Sequence, residues 1–501
     1  MTSKETTTTG GGLRRTLSVW EAIGVSVALM APSMAVNINP QGISSSVGRA
    51  VPLAFALATV SVLLISWTFV RLTQRFHHAG SVYGFVGATL GPRAGIFAGW
   101  SLVGTYLFYA VVTSTAAGRF ISEELSAWGV WKNAPDWSSF IFTLLALAIV
   151  VLLATREARN STRLLLTIEA VTVTLIVLVS VVVLAKLLGG GGPTGQKFDL
   201  SVFSLPPGLG ASTVFLGVVF GLLSFAGFES SATLGEEAKN PRQDIPRAIL
   251  GTAIFGGLFF VVITAIEMMG FGADDKGVAA FTSSESLLAD LSGDYLAGWV
   301  GHVITIGATV SAIGCALACV VGASRLIFAL SRDGAGIRSL SEVDERHGVP
   351  VRAVGVVAGA AALIVLLAWI VLRAQSFDVF LYSGTIGTLI LIVVYILATV
   401  GAYKLCFTTS GPGIGDLQVR RWELVIPVLA ILVLAYTLFR NIYPFPSGAG
   451  WWGPGPAIAW LLGVLALVVV RRSATEEAGQ KLTASEGLTA AAPQEAVRPG
   501  S

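Results

Sequence analysis

Ionised side chains are what this sequence has least of. Only 12% of its 501 residues are Asp, Glu, Lys or Arg, about half the ~25% of soluble domains. So few charges cannot cover a water-facing surface, which excludes an ordinary soluble globular protein. Histidine (four residues) and cysteine (three) are scarcer still. Cys315 and Cys319 share one apolar run and Cys406 ends another. No disulfide framework follows, and the i,i+4 pair reads as small packing residues. His77-His78 is the sole candidate metal ligand set, without the paired acids or repeated His spacing a membrane-embedded enzyme would need. An enzyme is therefore the remote reading, and no metal or cofactor is expected. The net charge is only +3, too small to suggest a nucleic-acid partner. A cleavable signal peptide is not expected either, because the first apolar run extends from Val19 nearly to Val47. Neither tail is long and apolar enough for a receptor's soluble domain.

What is present is hydrocarbon and glycine: 54% apolar residues and 57 glycines. The apolar residues recur in runs of about 20, the length that crosses a bilayer. This predicts an all-α polytopic membrane protein with twelve transmembrane helices. They fall at about 19–47, 50–70, 94–120, 138–154, 164–188, 211–236, 247–270, 297–331, 353–372, 377–404, 422–440 and 455–470. A short helix at the membrane surface is expected in HHAGSVYGFVGATLGPR, between spans two and three. Residues 1–17 and 473–501 read as disordered, solvated tails. With the N-terminus inside, 24 of the 32 lysines and arginines fall on inside segments. That bias places both termini in the cytoplasm, with the acidic loop 271–296 outside.

One stretch organises the rest. ASTVFLGVVFGLLSFAGFESSATLGEEAKNPRQDIPR, from Ala211 to Arg247, starts as an apolar helix. Mid-membrane it is interrupted at Ser224, Phe225, Ala226 and Gly227, and Glu229 follows. A carboxylate at membrane depth costs at least ~2.5 kcal/mol and needs a cavity or a partner. Span one is interrupted in the same way at Ala31-Pro32-Ser33. The interruptions open two sets of five spans, residues 18–188 and 211–405, which predicts a 5+5 inverted repeat with broken helices 1 and 6. Residues 422–470 supply two peripheral helices.

Several of these residues together resemble a known superfamily. LRRTLSVWEAIGVSVALMAPS, PRAGIFAGW, GFESSATLGEEAKNPRQDIPRA, SRLIFALSRDGAGIRSL with GVPVRAV, and YSGTIGTLILIVVYIL are similar to the amino acid–polyamine–organocation permeases. The resemblance covers roughly residues 13–405. It implies the leucine-transporter fold and secondary transport of amino acids or polyamines, driven by protons, sodium or exchange. Many relatives carry a glycine-rich first break whose amides hold a substrate carboxylate. Here the break reads Met30-Ala31-Pro32-Ser33-Met34, and Pro32 has no N–H to give. Some proton-coupled relatives also carry a lysine in span five near Thr172, where this chain has none.

Two facing helix breaks expose N–H groups on one half-helix and C=O groups on another, which suits a carboxylate and an ammonium respectively. The substrate-binding candidates are Ala31, Ser33 and Met34 with Ser224, Phe225, Ala226 and Gly227. Tyr106, Tyr109 and Tyr382 could close the cavity. Glu229 either ties the broken helix to its neighbours or serves in gating or proton coupling. Glu169 is a second intramembrane acid, read first as a helix-end residue reaching for the interface and second as a coupling group. Arg325 either anchors span eight at the cytoplasmic face or contributes to an inner gate. Thr309 and Ser311 are the oxygen ligands of a sodium alternative. The expectation is a plasma-membrane permease, lying in the lipid bilayer and moving amino acids or related organic amines by alternating access. Coupling to a proton or to exchange is expected, with import of an inorganic cation such as potassium as the alternative.

Overall fold

In the computed structural model, which describes residues 18–76, 82–132, 134–155, 159–234, 238–343, 349–408 and 419–485, the apolar runs form helices throughout. The expected N-terminal tail and His77-His78 lie outside the described residues. The first run is divided into α1 (Val19–Leu29), α2 (Pro32–Ile38) and α3 (Gln41–Val47). α1 starts at a capping box: Ser18 N–H donates to Glu21 Oε2 at 2.8 Å and Glu21 N–H to Ser18 Oγ at 3.4 Å, satisfying donors that have no partner inside the helix. Then come α4 (Val51–Arg75), α5 (Val82–Leu90), α6 (Pro92–Ala127), α7 (Trp137–Ala154) and α8 (Arg159–Leu188). The second part contains α9 (Val214–Ser224), α10 (Pro241–Phe271), α11 (Asp275–Ser283), α12 (Leu287–Tyr295), α13 (Gly298–Arg332), α14 (Val351–Leu366) and α15 (Ser376–Tyr403). Last come α16 (Val425–Ile442), α17 (Pro454–Val470) and α18 (Arg472–Ser485).

Among the described residues, eleven helical segments are long and apolar enough to cross a membrane, and Ala211–Ser224 is a shorter apolar one. The long α6 and α13 lie along each other at the centre, with α4 and α10 forming a second tightly packed pair. α8 meets α13 so closely that a Cβ on Gly307 would stand 2.1 Å from Thr172 Oγ1; only a residue without a side chain lets these backbones approach that far. The outer pair is pinned by polar side chains. Trp67 Nε1 donates to Glu423 Oε2 at 2.9 Å and Arg71 pairs with the same carboxylate, holding the chain before α16 on α4. Trp460 Nε1 of α17 donates to the Trp100 carbonyl at 3.1 Å.

Two expectations change. The segment expected at the membrane surface is helical as α5, but its residues Val82 to Gly87 are buried against α6 and α15. The C-terminal stretch expected as a solvated tail from residue 473 instead continues as α18, which packs on α5 and α6. Arg93 Nε meets Glu476 Oε2 at 2.7 Å, and Thr475 and Ala478 are buried. Their contact face consists of small residues, which leaves no apolar periodicity in the sequence to announce a helix. Residues 486–501 lie outside the described residues.

Candidate substrate site

The first break is two residues wide, Met30 and Ala31. Ala31 takes the left-handed conformation, φ 47°, which costs a residue with a Cβ about 1 kcal/mol or more and so marks an enforced kink. Its N–H donates to the Ala28 carbonyl at 3.1 Å, and Met30 N–H to that of Ser26 at 3.2 Å. Ser33 N–H, the first amide of α2 that Pro32 leaves available, donates to Glu169 Oε1 at 2.9 Å. Across the kink, Cys315 Sγ donates to the Leu29 carbonyl at 3.5 Å. Met34 and the Ser33 side chain are buried, and Ser33 Oγ has no partner.

Glu169 therefore does not reach for the interface. Its carboxylate turns to the first break through the Ser33 contact, four residues past the start of the apolar span at Leu165. It is only 7% exposed.

The second break is longer. α9 ends at Ser224, and the chain runs on through tight turns: Ala226 N–H to Leu223 O at 3.2 Å, Phe228 N–H to Phe225 O at 3.0 Å and Ser230 N–H to Gly227 O at 3.0 Å. Gly227 has φ +103°, open to glycine and strained for other residues, and a Cβ there would lie 3.1 Å from Leu29 Cβ. The two breaks thus touch. Side chains knit them further: Ser26 Oγ accepts Ser231 N–H at 3.1 Å and the Ser230 hydroxyl at 3.0 Å, and Asn39 Nδ2 donates to Ser224 Oγ at 2.7 Å. Phe225 is packed edge-on against Phe260 with ring centroids 5.2 Å apart, and its ring edge and Met30 Cε both border Gly256. Ala226 is half-buried.

Glu229 follows immediately, 7% exposed, with Oε2 lacking a donor. Tyr106, Tyr109 and Tyr395 all lie close enough to feel its charge. Tyr109 hydroxyl is committed to Thr388 Oγ1 at 3.0 Å. The Tyr395 hydroxyl approaches the carboxylate without reaching hydrogen-bond geometry and has no other partner. Tyr395 was not among the sequence candidates; it lies within a long apolar run in which no signal separates it from a packing residue. Tyr382, which was a candidate, is half-buried and is not part of this cluster.

The two hydroxyls of the sodium alternative lie on different faces of α13. Thr309 Oγ1 bonds its own helix at the Thr305 carbonyl, 2.8 Å away. Ser311, two positions on, projects roughly 200° around the helix from it, toward Glu169.

A cavity of about 540 Å³ opens beside the first break, lined among others by Ala28, Leu29, Glu169, Ser311 and Leu317, with the exposed Arg325 also lining it. Its walls come from α1, the end of α7, the first half of α8, α13 from Val310 to Arg325 and the start of α14, which places it toward the face where α1 begins. The opposite face is sealed. Asn37 Oδ1 accepts the Ser286 hydroxyl at 3.1 Å and Leu288 N–H at 3.0 Å, Ser44 Oγ meets Thr282 Oγ1 at 2.8 Å, and Gln41 Nε2 donates to the Ser284 carbonyl. A wide vestibule of about 1420 Å³ lies beyond that seal, bounded by Arg49, Glu123, Asp290 and His302 and by no residue of either break. The break region is open to one face of the bundle and closed to the other.

A helical membrane bundle with a polar site at two interrupted helices is the architecture of a transporter. The pattern of the amino acid permease family matches residues 23–481, and the chain belongs to that family, within the amino acid–polyamine–organocation superfamily. It is 25% identical to the branched-chain amino acid permease BcaP of Bacillus subtilis, over 67% of this chain and 69% of that protein. The low-affinity putrescine importer PlaP of Escherichia coli is 26% identical over 75% of this chain and 77% of its own. An uncharacterized transporter of Mycobacterium tuberculosis is 29% identical over 93% and 94%. The chain is a multi-pass membrane permease and not an enzyme.

Proposed function

We propose that this permease moves amino acids or related organic amines across the plasma membrane by alternating access, coupled to protons or to exchange. In this reading the broken segment 211–236 counts as the sixth of twelve spans. Residues 18–188 and 211–405 form two inverted repeats, with 422–470 peripheral and both termini cytoplasmic. The cavity beside Leu29 is then the inward path, with Arg325 at its cytoplasmic mouth, and the hydrogen bonds from Asn37, Gln41 and Ser44 are the closed outer gate. The substrate lies against Ala31, Ser33 and Met34 of the first break and Ser224 to Gly227 of the second, with Tyr106 and Tyr109 beside it.

The observation that carries the reading is Glu229: a buried carboxylate, one oxygen without a donor, set among three tyrosines and just past the contact between the breaks. Such a group is expensive in a membrane unless a cation or a proton neutralises it. The names of the relatives BcaP and PlaP support the same two substrate classes.

Uptake into proteoliposomes of labelled amino acids and amines, across a range of external pH, tests this. Glu229→Gln keeps the shape and hydrogen-bonding capacity but carries no charge. It should lower uptake at least roughly ten-fold, the scale of one lost charge-assisted contact, and flatten the pH profile. Full activity with an unchanged profile, alongside a Glu229→Ala variant that fails to fold, would leave Glu229 a purely structural tie.

A further inference from the structure

The vestibule beyond the seal holds a pair of titratable groups that lie outside the two breaks. His302 of α13 is the sole histidine among the described residues; it lines the vestibule, with its side chain 39% exposed. Its Nδ1 faces the Glu124 carboxylate of α6 at 3.0 and 3.3 Å, and Glu124 is buried. An ionised carboxylate only accepts, so Nδ1 carries the hydrogen and Nε2 is left as the acceptor. From the same carboxylate a line of contacts reaches the seal. Thr305, one turn along α13, approaches Glu124 without reaching hydrogen-bond geometry. Its hydroxyl bonds its own helix at the Gly301 carbonyl, 3.2 Å away, and lies 3.3 Å from that of Ser286. Ser286 in turn donates to Asn37 Oδ1 at 3.1 Å, on the helix that starts at the first break.

Acids crowd this place. Glu123, beside Glu124 in the chain, has one buried oxygen without a hydrogen-bond partner, and Glu285, Asp290 and Arg119 act on its charge. Arg119 also faces Asp136 and donates to Ser376 Oγ at 3.0 Å. Elsewhere on the vestibule wall Asp199, Asp274 and Asp294 stand against Arg49, Lys197 and Lys276. The local excess is therefore negative, and it lies where the segment between α11 and α12 comes down on α2.

We propose that His302 and Glu124 form the external proton-binding site of the transport cycle, and that a proton bound there favours closure of the outer gate. This rests on the reading of the Asn37, Gln41 and Ser44 contacts as that gate. The proton passes from external water to Nε2 of His302, while Nδ1–H stays on Glu124. The pair then changes from one negative charge to none, so the segment carrying Glu285 and Asp290 closes against one negative charge fewer. The contacts through Thr305 and Ser286 place that change next to Asn37, where hydrogen-bonded groups polarise one another. Histidine is the side chain that changes charge between about pH 5 and 8, and the gate responds to external pH across that range.

Accessibility of the gate tests this without substrate. In a background lacking Cys315, Cys319 and Cys406, Ser44→Cys lies buried under the gate and Ser283→Cys lies exposed outside it. The ratio of their labelling rates with a membrane-impermeant thiol reagent on intact cells should fall as external pH is lowered from about 8 to about 5. A fall of roughly ten-fold is expected, the scale of one charge-assisted contact. His302→Gln keeps a donor for Glu124 but takes up no proton, and should hold the ratio at its alkaline value. Glu124→Gln carries no charge at any pH and should hold the ratio low throughout. A ratio that still falls with pH in His302→Gln, or a Glu124→Gln gate as open as the wild type at alkaline pH, would overturn the proton site. Ser44→Cys unlabelled at every pH would overturn the gate reading and the site with it. A response lost in His302→Gln, with no amino acid or amine taken up by the wild type, would uphold the proton site and overturn the substrate reading alone.

Discussion

Gly227 carries a double constraint: its backbone lies where side chains are strained, and the space a side chain would enter is filled by Leu29. Gly227→Leu should cost roughly 1–3 kcal/mol from the backbone alone, with overpacking against Leu29 added to it. The expected outcome is uptake at background with normal membrane insertion; normal uptake would remove the second break from the substrate path. Glycine at this position is readable from sequence, because an interrupted apolar run needs a residue that tolerates an unusual turn. Glu229 was readable too, since a carboxylate within hydrocarbon stands out against its neighbours. Tyr395 was not, because a tyrosine in a span has the same local pattern whether it faces a carboxylate or a phenylalanine. The partner of Glu169 was not readable either, because its contact with Ser33 N–H joins residues 136 apart in the sequence.

Among the elements, the long spans were the easiest to place, since a run of about twenty apolar residues has few alternatives. α18 was the hardest. Its contacts with the rest of the bundle are made by threonine, alanine and glycine at close approach, a face that carries almost no hydrophobic signal. The Arg93–Glu476 pair, at 38% and 36% side-chain exposure, should contribute no more than about 1 kcal/mol. Removing residues 472–501 should therefore destabilise the protein clearly more than Glu476→Ala does. Thermal melts of the two variants in detergent measure the difference, and equal melting points would mean that α18 contributes only through its charge.

For the whole molecule, orientation is the expectation on which inward and outward depend. Ser283 and Ser473 are both exposed, at the end of α11 and the start of α18. With cysteines introduced in a background lacking Cys315, Cys319 and Cys406, Ser283→Cys should react with a membrane-impermeant thiol reagent on intact cells and Ser473→Cys should not. The reverse result would invert the assignment of both faces. The close seam of Thr172 on Gly307 bears on motion as well. A threonine side chain seated over a glycine leaves no room for the helices to slide past one another at that level, which ties α8 to α13 along the seam. α1 is open on one side, where nothing lies within 4 Å of a Cβ built on Gly24, and held on the other, where Ile23 fills the space over Gly251 of α10 and Ser26 bonds the second break; its far end is the kink at Ala31. The cavity is thus a doorway whose leaf is α1 joined to the second break, so any swing at Ala31 that releases the occupant has to carry Gly227 and Ser231 with it.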